Sequence, residues 1–125
     1  MTIAALKIIS DAMRELGLAY GLGRFSGKAD TYFVGEYQEV ESFTESGLQE
    51  STFLLTGFSR GEWLELETAK EKIENYFNRV SGKIVIADNG SAVAVFYAYS
   101  LIVPTNDAEL KRIQINLNIK EWKVS

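Results

Sequence analysis

The sequence predicts an α+β fold: a mostly antiparallel sheet of about five strands with two helices packed on one face, in the order α-β-β-α-β-β-β. Three stretches predict it. Residues 50–77, ESTFLLTGFSRGEWLELETAKEKIENYF, change from a β-rich run to a pattern of apolar residues at steps of three and four. Ile113, Ile115, Leu117 and Ile119 alternate with Gln114, Asn116, Asn118 and Lys120, the period of a strand with one covered face. Asp88-Asn89-Gly90 lies between two β-rich runs and predicts a hairpin, with Asn89-Gly90 suited to a type I′ turn.

The first helix is expected over Thr2 to Leu16. Ile3, Leu6, Ile9, Met13 and Leu16 form its apolar stripe, widened by Ala5 and Ala12, with Gly17 as the C-terminal cap. Residues 17–30, GLAYGLGRFSGKAD, read as a glycine-rich flexible connector, locally basic at Arg24 and Lys28. Two nucleotide-binding patterns fail within it. Gly21-Leu22-Gly23 is followed by Ser26 where the dinucleotide fingerprint needs glycine, and Gly27-Lys28 is followed by Ala29 where a phosphate-binding loop needs Ser or Thr.

Thr31 to Phe43 reads as a long strand, with Tyr32, Val34 and Val40 on one side and Phe33, Tyr37 and Phe43 on the other. Glu36, Glu39, Glu41, Glu45 and Glu50 follow one another with no basic residue between them, so this segment is expected in water, as a protruding acidic hairpin around 36–50 with its tip near Gly47. The glutamates alternate along a strand and lack a D-x-D-x-D-G type loop, which speaks against a hard-cation site. Thr52 to Phe58 is the return strand.

The second helix is expected to open on a Ser59–Glu62 capping box and to bury Trp63, Leu66, Ala69, Ile73, Phe77 and Val80, with Ser81-Gly82 ending it and Lys70–Glu74 as a supporting pair. Lys83 to Val103 follows as two strands. Val93, Val95, Tyr97 and Tyr99 oppose Ala92, Ala94, Phe96 and Ala98, and both faces are apolar, which predicts a central strand covered on each side. Pro104 ends it. Trp122 falls on the polar side of the last strand and is a candidate interface anchor.

The 125 residues fit one domain, 1–125, and 46% hydrophobic content excludes a disordered chain. Cysteine and histidine are absent, which removes disulfides, Cys- or His-containing zinc sites, Cys nucleophiles and His-based triads. No cofactor is expected. The net charge of −4 and the lack of a basic stripe speak against sequence-specific DNA binding. No apolar run reaches the ~20 residues needed to span a bilayer, and Lys7 and Asp11 interrupt the apolar N-terminal segment, so neither a membrane span nor a signal peptide is expected.

The order of elements resembles the tail terminator and tail completion (head-tail joining) proteins of long-tailed bacteriophages. The features that carry the resemblance are the N-terminal helix, the acidic hairpin YFVGEYQEVESFTESGLQESTFLLTGFSRG, the helix EWLELETAKEKIENYF and the final strands ending in RIQINLNIKEW. The resemblance implies a non-enzymatic structural protein in the virion tail, assembled in the host cytoplasm. It implies a ring, usually of six copies, that caps the tail tube and meets the head connector, with DNA passing through and not held. It makes Tyr37, Glu39, Glu41, Phe43, Glu45 and Trp122 the candidate interface residues. The residues leave two further readings open: a monomeric or dimeric adaptor that binds through its hairpin or sheet edge, and an enzyme with a pocket built from Tyr97, Tyr99 and a glutamate.

Overall fold

A computed structural model describes residues 1–43, 47–87 and 89–123, with the side chains of 40–43 outside the description. The elements run α1 (Ile3–Glu15), β1 (Tyr20–Leu22), β2 (Thr31–Phe43), β3 (Leu48–Ser59), α2 (Trp63–Tyr76), β4 (Lys83–Ile86), β5 (Ala92–Ile102) and β6 (Lys111–Trp122). The fold is α+β, with a six-stranded sheet in the order β1-β2-β3-β6-β5-β4. Every pairing is antiparallel except β1 with β2, which is parallel.

The parallel strand corrects the expected connector. Within 17–30, Tyr20, Gly21 and Leu22 align with Phe33, Val34 and Gly35, held by Phe33 N–H to Ala19 O and Gly23 N–H to Gly35 O, both 2.8 Å. Beyond it Phe25 stacks on Tyr32 at 5.1 Å, and Tyr32 on Phe58 at 5.3 Å, which fixes the loop over the sheet. The sheet therefore has six strands rather than five, and three of them precede α2.

α1 begins at Thr2, whose Oγ1 accepts the Ala5 N–H, and ends in the bonds Leu18 N–H to Met13 O and Gly17 N–H to Arg14 O. Gly17, at φ +72°, takes the left-handed position that closes this motif, as expected. Its buried stripe is Ala5, Ile9, Ala12 and Met13. Ile3 is exposed, because the stripe lies one step further round the helix than the predicted one.

α2 departs further from expectation. Its N-cap is Glu62, which makes no side-chain capping bond. Ser59 Oγ instead accepts the Gly61 N–H at 3.0 Å and meets Thr31 Oγ1 at 2.8 Å. The Ser59 hydroxyl is buried at the end of β3, where it closes a turn and reaches the first turn of α2 only at the Glu65 carboxylate, to which it donates at 3.4 Å. Leu66, Ala69, Ile73 and Phe77 are buried as predicted, whereas Trp63, at the first helical position, is exposed. The helix ends at Tyr76, so Val80 lies past it and is 87% exposed. Gly82, at φ +63°, closes a separate turn in which Asn78 Oδ1 accepts from Val80 and Ser81. The supporting ion pair is Lys70–Glu67 at 2.7 Å.

The buried side chains of both helices join Phe33, Phe53, Leu55, Val93, Val95, Tyr97, Ile113, Ile115, Leu117 and Ile119 in one core. Two glycines make room for aromatic rings in it. A Cβ on Gly57 would stand 2.5 Å from the Phe33 ring, and one on Gly35 would stand 2.5 Å from the Phe53 ring. Phe33 is the direct cross-strand partner of Gly57.

Candidate assembly surface

Register divides the sheet residues into two faces. Phe53, Val95 and Ile119 meet the helices. Tyr32, Thr52, Ile84, Ile86, Phe96, Asn118 and Trp122 belong to the other face, which no helix covers. The central rows of this open face carry Gln114, Asn116 and Asn118. Asn116 is nevertheless buried, with Leu54 and Tyr99 opposite it on either side, so the face is drier there than its run of polar residues implies.

The β4–β5 hairpin is the most apolar exposed part of the molecule. All four residues of β4, Lys83-Ile84-Val85-Ile86, are exposed, Ile86 at 71%. Leu101, Ile102 and Tyr99 are exposed on β5, Tyr99 at 56%. The expectation that β5 is covered on both faces holds for its first half, where Ala94 on the open face is fully buried, and fails beyond Tyr97. β5 is next to last in the sheet, its helix-facing side chains are Val93, Val95 and Tyr97, and a register shift between Tyr97 and Tyr99 changes the alternation beyond it. The bulge separates the two tyrosines proposed for a pocket: Tyr97 is buried and its hydroxyl meets Ser100 Oγ at 2.8 Å, while Tyr99 stands in water. The turn is also not type I′. Gly90 N–H reaches Ala87 O, and among the described residues positive φ occurs only at glycines, so Asn89 does not supply the left-handed position that type I′ demands.

The sequence-predicted interface residues separate into two places. Tyr37 and Glu39 lie exposed on β2, and Glu39 forms an ion pair with the Met1 amino group. Glu41 and Phe43 continue β2, with side chains outside the described residues, and Glu45 lies outside them altogether. Trp122, 37% exposed, is three strands from β1's edge, level with Leu48 on β3 and Ala92 on β5. It borders a groove of about 640 Å³ between α1 and the β4–β5 hairpin, also lined by Ile8, Val85, Val93 and Glu121. The expected hairpin is tied into the sheet on its return side: β3 pairs with β6 down to Leu48, opposite Trp122, and Glu50 faces Lys120 at 3.8 Å.

Glu121 went unnoticed in the sequence. It is 2% exposed under the start of α1, where the Thr2 N–H donates to Oε1 at 3.1 Å and the Thr2 hydroxyl donates to the same oxygen. A carboxylate there complements the positive end of the helix. The alternation of β6 places it inward, and that was its only signal. Tyr20, half-buried on β1, has its hydroxyl beside Gly35, and burial pushes its phenol up to about 12.

Among the described residues no group of three or more Asp, Glu, His or Cys could hold a metal ion, and no helix is long and apolar enough to cross a membrane. Neither a known protein-family model nor any curated protein matches this chain.

Proposed function

We propose that this chain is a non-enzymatic assembly subunit that builds a ring of identical copies, of the kind that caps a bacteriophage tail tube and joins it to the head connector. The observation that carries the assembly role is the β4–β5 hairpin, which leaves Ile84, Val85, Ile86, Tyr99, Leu101 and Ile102 in water at a bare sheet edge. Such an edge is a template for pairing with another strand, and a long-lived monomer ordinarily blunts it with charge or covers it.

The tail setting comes from the resemblance of the element order. In that setting the partners are further copies, the tube protein and the connector proteins, and the place of action is the virion tail after assembly in the host cytoplasm. The −4 net charge suits a channel wall that repels passing DNA.

The test is mass in solution by light scattering over a wide concentration range, with negative-stain imaging of large species. A rise from the 14.0 kDa chain to a discrete multiple that images as a closed ring is expected. A single-chain mass at every concentration contradicts the proposal and favours the adaptor, whose exposed edge then serves a different protein.

A further inference from the structure

Resting on the ring reading, we propose that the two sheet edges are complementary halves of a stepped joint between neighbouring copies, with β4 of one copy beside residues 39–43 of β2 in the next.

The two edges are cut at different levels. On one side β1 pairs only with residues 33–35 of β2, so 36–39 and 43 pair with β3 alone, with two extra residues of β2 taken up between Glu39 and Phe43. On the other side β4 pairs only with residues 92–95 of β5, so the outer edge of β5 beyond them lacks a strand. There Phe77 O accepts the Tyr97 N–H at 2.7 Å, and 100–102 lie further on.

Following the register across the sheet shows that the cuts match. Lys83 aligns with Val95, Ile119, Ser51 and Glu39 in turn. Val85 aligns with Val93, Glu121, Gln49 and Phe43. β4 is therefore level with residues 39–43, the far part of the open half of β2. At the other end Tyr20 aligns with Phe33, Gly57, Ile113 and Ile102, and Leu22 with Gly35, Leu55, Ile115 and Ser100. β1 is level with the open end of β5. Each edge has a strand at levels where the other has none, with 36–38 of β2 and 96–99 of β5 lying between them.

Direction and charge agree with this joint. Four antiparallel steps separate β2 from β4, so the two run the same way and pair in parallel between copies, while β1 meets β5 antiparallel. The β2 edge carries exposed Glu36, which repels a second β2 edge, and Glu39, whose charge the Met1 amino group partly offsets. The β4 edge carries Lys83, level with Glu39 and on the same face. Leu22, Leu101 and Ile102 are exposed on the second half of the joint and are covered by it. Joining edges at one level turns successive copies without sliding them along the strands, which is the condition for a head-to-tail contact to close into a ring.

The chain has no cysteine, so engineered thiols report unambiguously. Glu39→Cys and Lys83→Cys are both exposed positions, and circular dichroism checks that each variant folds. A disulfide requires Cα atoms within about 7 Å. Under mild oxidation each single variant alone should stay uncross-linked, an equal mixture of the two should give a covalent dimer, and a Glu39→Cys/Lys83→Cys double variant should give a ladder ending at ring size. Dimers from Lys83→Cys alone would mean β4–β4 pairing and overturn the joint. Oligomers by light scattering without any mixed disulfide would overturn the joint and leave the ring. Monomers throughout, with no cross-link, would overturn both.

Discussion

The β2–β3–β6 half of the sheet and the β4–β5 hairpin are built from similar residues and treated in opposite ways. In the first, Phe33 and Phe53 lie over Gly57 and Gly35, and the helices cover them completely. In the second, Ile84, Ile86, Tyr99 and Ile102 are just as apolar and remain in water. The difference is one of place. α1 and α2 lie on one face, and their buried residues reach the side chains that the first half of β5 turns toward that face, leaving β4 and much of β5 beyond Tyr97 exposed. Apolar composition states what a residue gains by burial, and register decides whether its own chain can supply the cover.

The contrast can be broken first at its well-packed side. Phe53→Ala removes a fully buried ring and should destabilise the fold by about 3–5 kcal/mol, read as a lower denaturant midpoint. Gly57→Ala forces a methyl against the Phe33 ring and should cost about 1–3 kcal/mol in the same assay. Thr2→Ala removes the cap of α1 and the hydroxyl bonded to Glu121, for about 0.5–2 kcal/mol.

On the bare side stability and assembly should separate. Ile84→Thr with Ile86→Thr alters exposed side chains, so unfolding should move by no more than about 0.5 kcal/mol per site, while light scattering should show the oligomer lost. Loss of both together would mean that β4 is part of the core.

The smallest effect concerns Asp107, at the turn before β6. The Glu109 backbone N–H, and then the Arg60 guanidinium, hold its carboxyl below the usual carboxylate range. A lowered acid stabilises the fold above its unfolded-state pKa, and that contribution disappears as the pH falls through the folded-state value. Asp107→Asn should slightly flatten the acid limb of a stability–pH curve and leave assembly unchanged.

Local signals made much of the fold legible. Gly17 marked the end of α1, the Ile113–Ile119 alternation gave β6, and Gly90 marked the hairpin turn, because each is set by neighbours in the chain. β1 was hidden because Tyr20-Gly21-Leu22 is a strand only through pairing with β2, and its glycine-rich context reads as a linker. The edge position of β4 was hidden for the opposite reason: Lys83-Ile84-Val85-Ile86 has the composition of a covered strand, and strand order is a long-range property. Of the predicted interface, Tyr37, Glu39 and Trp122 are exposed as expected, but Trp122 belongs to a different region from the other two. The stepped match of the edges requires all five pairings together, which no local pattern encodes.

The central claim is that one edge of this sheet completes the other in the next copy. Amide hydrogen exchange of the unmodified chain at low and high concentration tests it most directly. The account predicts that protection rises with concentration in 39–43 and 83–86 together, while the interior of β3 and β6 is unchanged. Equal exchange of both segments at the two concentrations, under conditions where light scattering reports assembly, would contradict it.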